Sequence, residues 1–282
     1  MRCIADPDLP TFAAAALPWL HQDPVRHNVL CTVTQARLDG QLDLEPDALW
    51  LRLVDEAGDL AGAAVQTPPR GLLLSTMPVD GAVVLADHLV ATRLDLPAVD
   101  GPEEPAGAFA RRFTEATGRA AGEGLSARMY RLDAVTQPSG VPGKLREANR
   151  DDRELLIAWL DAFTAEAVPH QPAGDTGAVV DRRLDQGGFL WLWEDGGVPV
   201  SLLMVSRRAA GVVRVGAVYT PPELRGHGYA SANVAAICQQ AIDRGAIACM
   251  LYADRANPTS NRIYQRIGFR PVGDTQEWVF TG

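Results

Sequence analysis

One stretch decides the fold of this 282-residue chain: Val212-Val-Arg-Val-Gly-Ala-Val-Tyr-Thr-Pro-Pro-Glu-Leu-Arg-Gly-His-Gly-Tyr-Ala230. Its first part, Val212–Tyr219, is rich in valine and predicts a strand, which the two prolines end because proline cannot continue a central ladder. The small residues of Arg225–Ala230 then lead into a helix predicted over Tyr229–Arg244. Backbone N–H groups at such a strand–loop–helix junction, with the positive end of the helix, bind anions such as phosphate or pyrophosphate.

Two blocks of the sequence share one order of elements. Leu49–Val65 and Phe189–Val205 each consist of an apolar run, an acidic turn with glycine and a second apolar run, which predicts a β-hairpin. Each hairpin is followed by one more strand and one helix, predicted at Leu72–Ser75 and Ala82–Leu94, and at Val212–Thr220 and Tyr229–Arg244. The pattern is that of an α/β protein in which one architecture is used twice. A proline- and glycine-rich join at Gln137–Gly143 separates the two copies.

The second copy has recognisable elements on both sides of the quoted stretch. Asp151–Val168 shows apolar residues at the helical period and is stopped by Pro169, and a loop at His170–Gly177 leads to a short helix at Ala178–Gln186. Towards the C-terminus, Ile247–Asp254 predicts a strand. Asn257 follows as the N-cap of a helix that Gly268 ends, with Pro258 in its first position.

The spacing Arg225-x-x-Gly228-x-Ala230 resembles the pyrophosphate loop of the GNAT superfamily of N-acetyltransferases, and the strand before it and the helix after it fit as well. The resemblance implies an α/β fold of two tandem GNAT-like domains, each a mixed, mostly antiparallel sheet flanked by helices. It places a degenerate domain without the cofactor loop at residues 1–138 and the catalytic domain at residues 139–282. At the place that matches the loop, the first copy reads Ser75–Ala86, with no arginine and with Asp80, which would repel a pyrophosphate.

The family's way of binding acetyl-CoA assigns the cofactor-binding residues. Loop N–H groups hold the pyrophosphate, the splayed strand before the loop holds the pantetheine arm and the acetyl carbonyl, and the later helix lies beside the arm. Carried over by position, the residues are Ala217, Val218, Tyr219, Arg225, Gly226, His227, Gly228, Tyr229, Ala230, Asn257, Ser260 and Tyr264.

Two residues are catalytic candidates, Tyr264 and Glu166. Tyr264 resembles the family's tyrosine near the sulfur, proposed to protonate the leaving thiolate as general acid; its alternative is a core aromatic residue whose hydroxyl binds the backbone. The strand before the loop carries no carboxylate, so the general base must lie elsewhere. Glu166, His170 and a chain of waters are open alternatives, and Glu166 also fits a solvated charge at a helix end.

The function that follows is transfer of an acetyl group from acetyl-CoA to an amine of a small molecule, peptide or protein, by direct attack in a ternary complex. The alternative is a non-catalytic acyl-CoA-binding or regulatory module, which the missing strand carboxylate favours. The sequence contains neither a P-loop nor a dinucleotide-binding glycine fingerprint, so ATP and NAD sites are not expected.

Composition argues against nucleic-acid-binding, membrane-spanning and metal-binding proteins. A formal charge of −9 argues against a nucleic-acid partner, and no apolar run is long enough for a membrane span. The 4 cysteines form no C-x-x-C pair and no zinc pattern, so no metal is expected. We expect a cytoplasmic monomer or homodimer that takes acetyl-CoA as its cosubstrate and an amine as its acceptor.

Overall fold

The computed structural model describes residues 1–92, 95–167 and 174–282. They form two compact units: Met1–Met129 with Val272–Gly282, and Tyr130–Pro271. The domain limits predicted from the sequence, 1–138 and 139–282, divide the chain once. The compact units differ because the last residues of the chain, Val272–Gly282, belong to the first unit.

The two halves of the chain contain the same succession of elements. Residues 2–132 form β1 (Arg2–Ala5), α1 (Leu9–Leu20), α2 (Asn28–Leu38), β2 (Leu49–Val54), β3 (Leu60–Gln66), β4 (Leu72–Leu74), α3 (Val79–Ala91), β5 (Ala98–Pro102), α4 (Glu103–Thr117) and β6 (Ala120–Leu132). Residues 144–281 form β7 (Lys144–Glu147), α5 (Arg153–Ala167), α6 (Thr176–Gln186), β8 (Leu190–Asp195), β9 (Val198–Val205), β10 (Val212–Tyr219), α7 (Tyr229–Asp243), β11 (Ala248–Asp254), α8 (Pro258–Ile267) and β12 (Arg270–Thr281).

The strand pairings repeat as well. In the first unit β1–β2, β2–β3 and β3–β4 are antiparallel and β4–β5 is parallel, and β12 then pairs antiparallel with β5. In the second unit β7–β8, β8–β9 and β9–β10 are antiparallel and β10–β11 is parallel. The predicted α/β class, with a mixed and mostly antiparallel sheet flanked by helices in each half, is confirmed.

Most predicted elements lie where the sequence placed them. Both hairpins form, with turns at Asp55–Asp59 and at Gly196–Gly197. Asn257 is the N-cap of α8 and accepts a hydrogen bond from the Ser260 N–H. The helix predicted from Ala82 begins three residues earlier, after Pro78, since proline fixes the backbone for the turn that follows. The predicted ends at Leu94 and at Val168–Pro169 lie outside the described residues.

Helices cover both faces of the second unit's sheet. Neighbouring residues of β9 show the division, because successive side chains of a strand point to opposite faces. Leu202 packs with Leu156 of α5 and Val180 of α6, whereas Leu203 packs with Val234 of α7. The sheet is therefore buried between α5–α6 and α7, and the ends of β10 and β11 lie between these two layers.

Candidate functional site

Strand β10 contains a bulge close to its C-terminal end. Gly216 pairs with Met204 and Tyr219 with Leu202, so Ala217 and Val218 together lie opposite the single residue Leu203. Ala217 has φ +46°, in the left-handed region that costs a non-glycine residue roughly 1–2 kcal/mol. This strained position coincides with the residues predicted to hold the pantetheine arm.

Strands β10 and β11 stop pairing before either strand ends. Their parallel register runs from Val212 with Ala248 to Val215 with Leu251, whereas β10 continues to Tyr219 and β11 to Asp254. Backbone polar groups on strand edges that have no partner strand can bond an extended ligand. The ends of the two strands thus offer a slot for a chain that carries amides of its own.

The loop after β10 presents free backbone donors. The first helical hydrogen bond of α7 runs from the Ala232 N–H to the Gly228 oxygen, at 3.0 Å. Among the described residues, the N–H groups of Gly226 to Ser231 have no acceptor within the protein. Gly228 is the N-cap, with φ +82° and no side-chain cap, and a Cβ there would lie 2.9 Å from Val141. Glycine is required at this position on both counts.

Arg225 and Glu166 form an ion pair. Arg225 Nη2 donates to both carboxylate oxygens of Glu166, at 3.0 and 2.7 Å, and its Nε donates to the Thr220 oxygen at 2.9 Å. Both side chains are 48% exposed, so the pair itself contributes only about 0–1 kcal/mol to stability. The pair nevertheless brings the predicted base at the end of α5 next to the predicted phosphate loop. The other named base, His170, lies outside the described residues.

Neighbouring loop residues are fixed by packing. The rings of His227 and Tyr229 stack with centroids 5.5 Å apart, and the Tyr229 hydroxyl donates to Asp195 Oδ2 at 2.7 Å. That hydrogen bond raises the pKa of Tyr229. Tyr219 is buried beneath the loop, with its ring centroid 6.2 Å from that of Trp159.

Tyr264 of α8 lies in the same hydrophobic cluster as Val218 of β10. Its ring is buried, and among the described residues its hydroxyl has no hydrogen-bond partner. Burial, and secondarily the neighbouring Cys238 thiol, raises the pKa of Tyr264 to about 12. The nearby Tyr130 differs, because its hydroxyl donates to Asn261 Oδ1 at 2.7 Å. Tyr264 therefore keeps its proton at neutral pH without using it inside the protein.

Residues 153–269 match a family model described as the acetyltransferase (GNAT) family. This stretch is a GNAT acetyltransferase domain. The acyltransferase prediction is thus confirmed for this domain, and the whole of the bulge, the loop and α8 lies inside the matched residues.

Solved structures of GNAT proteins resemble the whole chain. An acetyltransferase from the GNAT family of Colwellia psychrerythraea is 10% identical, with a TM-score of 0.62 over 100% of both chains. A GCN5-related N-acetyltransferase from Sphaerobacter thermophilus is 18% identical, with a TM-score of 0.57 over 98% of this chain and 95% of that one. One from Kribbella flavida is 18% identical, with a TM-score of 0.55 over 89% and 95%. No curated protein sequence is significantly similar.

The described part of the chain lacks the features of two other classes of site. Residues 1–92, 95–167 and 174–282 contain no group of three or more metal-ligating side chains. Within the same ranges no helix is long and apolar enough to cross a bilayer. A cavity of about 290 Å³ lies beside the C-terminal end of α7, lined among others by Trp191, Gln240 and Arg244. It lies at the opposite end of α7 from the loop, and the GNAT site does not depend on it.

A buried polar network supports the GNAT domain's loop, and no sequence motif indicated it. Ser201 on β9 donates to the Tyr219 oxygen at 3.1 Å and accepts from Thr220 Oγ1 at 3.0 Å. Asn233 Nδ2 on α7 donates to the Ser201 oxygen at 3.2 Å. Ser201 and Asn233 are fully buried, whereas the bond from Thr220 is partly buried, so most of the network forms away from water. The network joins β9, the end of β10 and α7 at the point where the loop begins.

Replacement of Ser201 tests this network. Ser201→Ala leaves the Thr220 hydroxyl and the Tyr219 oxygen without their partner, so we expect the free energy of unfolding to fall by about 1–3 kcal/mol. Chemical denaturation measures the change. Ser139→Ala, at an exposed position in the join, is the control and should change stability by less than about 0.5 kcal/mol. Equal stability of the two variants would show that the network does not hold the loop.

Proposed function

We propose that this protein transfers the acetyl group of acetyl-CoA to an amine in a ternary complex, as the sequence predicts. The observation that carries the proposal is the row of N–H groups from Gly226 to Ser231, which have no acceptor among the described residues. They lie at the positive end of α7, after the bulged strand. Such a row suits the two negative charges of a pyrophosphate. The GNAT domain supports acetyl transfer in general, and acetyl-CoA is the donor whose parts fit these features.

The strand end next to the loop suits the rest of the donor. The pantetheine arm carries two amides and can bond the backbone edges where β10 and β11 no longer pair. The Val218 N–H, inside the bulge, is the proposed donor to the acetyl oxygen as negative charge develops there. Donors fixed in a fold need no reorganisation during the reaction, and the buried network at Ser201 holds this strand end in place.

The chemistry requires a base and an acid. The acceptor amine loses a proton and attacks the thioester carbonyl carbon, the C–S bond breaks, and the thiolate takes up a proton. We assign the base to Glu166, whose two oxygens are engaged by Arg225 in the structure. An anion bound at the loop competes for Arg225, so binding of the donor would release Glu166 for its role. Tyr264 is assigned as the acid, since its phenol is protonated at neutral pH and its hydroxyl is unused.

The first copy is proposed to bind no donor. The turn that opens α3 packs tightly, because a methyl group at Gly81 would overlap Leu53. At the preceding junction the Ser75 hydroxyl accepts from the Ala63 N–H at 2.9 Å and donates to the Thr76 oxygen at 2.8 Å. Asp80 lies in the first turn of α3, where the GNAT loop needs to attract an anion. We therefore assign this half a structural role and no second acetyl-CoA site.

The absence of a carboxylate on β10 favours one alternative, a non-catalytic acyl-CoA-binding or regulatory module. It would use the same loop but would show acetyl-CoA binding without turnover across a broad panel of amines. The cytoplasmic location, the monomeric or dimeric state and the absence of nucleic-acid and membrane partners stay predictions.

The loop is tested by a charge change at Ala230. A glutamate is well tolerated in the first turn of a helix, but at this position its carboxylate would repel a pyrophosphate. We expect Ala230→Glu to weaken acetyl-CoA binding by about a hundredfold or more, since a like-charge contact costs several kcal/mol. Ala230→Gln has nearly the same shape and should bind far better. Gly228 is less suitable, because any side chain there strains the backbone and presses on Val141. Calorimetric titration with equal affinities for both variants would refute the site.

The base is tested by Glu166→Gln, which removes proton acceptance and keeps the shape of the side chain. We expect kcat to fall by about 10²–10⁴-fold, while acetyl-CoA affinity stays equal or rises slightly because Arg225 loses its carboxylate partner. Glu223→Gln, an exposed loop residue with the same change of charge, is the control and should leave kcat unchanged. If Glu166→Gln turns over like the wild type, the base is His170 or a chain of waters.

The acid is tested by Tyr264→Phe. We expect kcat to fall by roughly tenfold to a thousandfold with unchanged acetyl-CoA affinity. Stability should barely change, because the hydroxyl has no partner within the described residues. Tyr130→Phe is the matched control, since it loses the hydrogen bond to Asn261 and should cost about 1 kcal/mol of stability while keeping turnover. If Tyr264→Phe has the kcat of the wild type, Tyr264 is a core residue and not the general acid.

A further inference from the structure

A second group of positive charge lies in the GNAT domain, away from the pyrophosphate loop. Phe189, buried just before β8, has two guanidinium groups over its ring. The Cζ atom of Arg183, on α6, is 4.4 Å from the ring centroid, and that of Arg207, after β9, is 5.1 Å from it. Each contact is a cation–π interaction, so both guanidinium groups lie beside the same aromatic ring.

These cations have no acidic partner within the described residues. Arg183 Nε is buried without a hydrogen-bond partner, and neither Arg183 nor Arg207 forms an ion pair with a carboxylate there. The nearby Glu147 carboxylate accepts instead from the Gly188 N–H. The residues outside the description, 93–94 and 168–173, include no Asp or Glu. No carboxylate of the described residues therefore neutralises the charges of Arg183 and Arg207, which remain available to a bound anion.

The electrostatics agree with this geometry. Burial, followed by the charges of Arg182, Arg214 and Arg207, lowers the pKa of Arg183 to about 10. Like charges brought together in a partly buried place raise the free energy of the protein unless an anion neutralises them. The place is also accessible, because the Arg207 residue is exposed while Arg183 is partly buried.

We propose that Arg183 and Arg207, stacked on Phe189, bind a phosphate or carboxylate group. Planar guanidinium groups bond both kinds of anion with paired N–H donors. The group can belong to the acceptor amine or to a separate small anion. The existence of the anion site does not depend on the proposed function, whereas its assignment to the acceptor rests on that function.

Strand β10 gives the reason to consider the acceptor. Val213 and Val215 pack in the cluster on the α7 side of the sheet, so Arg214 between them lies on the α5–α6 side. Ala217 of the bulge packs on that same side. Val218 lies four positions after Arg214, which is about 13 Å along a strand. An amine near Val218 and an anionic group near Arg183 could therefore belong to one molecule of modest length.

The anion site is tested with inorganic phosphate in the Ala230→Glu background, which closes the pyrophosphate loop to anions. We expect Arg183→Met to weaken phosphate binding by about tenfold or more in a calorimetric titration, because the buried donor is lost. Arg207→Met should also weaken phosphate binding. Because Arg207 is exposed, we expect this variant to fold normally. The control, Arg111→Met on the exposed surface of α4, removes one positive charge elsewhere. Phosphate affinities of both variants equal to that of the control would overturn the proposal.

The source of the anion is identified by kinetics with matched amines in the otherwise wild-type protein. Decylamine is compared with 10-aminodecanoic acid, whose extended chain places a carboxylate about 13 Å from the amine. A kcat/KM at least about tenfold higher for the anionic member, lost in Arg207→Met, assigns the group to the acceptor. Phosphate binding that needs Arg183 without any preference between the amines supports the site with a separate anion. Absence of turnover with every amine would count against the proposed function and leave the phosphate titration to decide the anion site.

Discussion

The GNAT site depends on the inability of β10 to stay in register with both of its neighbours. On one side the bulge at Ala217 and Val218 shifts its pairing with β9, and on the other side its pairing with β11 ends at Val215. The strand end is therefore still tied to the sheet through β9 while its other edge is open. A regular strand would have used these backbone groups internally and would have left nothing for an extended ligand. The strain at Ala217 is the local cost of that opening.

Rigidity around the opening comes from buried polar bonds rather than from the loop itself. Ser201, Thr220 and Asn233 connect three elements with fully buried or partly buried hydrogen bonds, and Tyr229 is tied to Asp195. The loop between them has no acceptors among the described residues for its N–H groups, which therefore stay available to a ligand. The rigid surroundings matter for anion binding. The N–H groups can attract an anion strongly only if the loop cannot move and bond them to acceptors within the protein.

The sequence was informative where structure is local. The hairpin turns, the capped helix at Asn257 and the glycine-rich start of α7 depend on residues only a few positions apart, and all of them formed as expected. Contacts between distant residues had no such signal. Glu166 and Arg225 are 59 positions apart, and the bulge at Ala217 arises from pairing with another strand rather than from any residue preference of alanine. Arg207 is another example, because its contact with Phe189 joins residues 18 positions apart in the chain.

The join between the two copies is part of the structure of the second copy. Val141, in the Gln137–Gly143 segment, lies next to the N-cap Gly228, and the Pro142 oxygen accepts a hydrogen bond from Trp193 Nε1 at 2.8 Å. The segment therefore packs on the start of α7 and on β8, unlike a flexible linker. A change in its length would move Val141 away from Gly228 and break the bond to Trp193, so the join would tolerate fewer insertions and deletions than an ordinary linker.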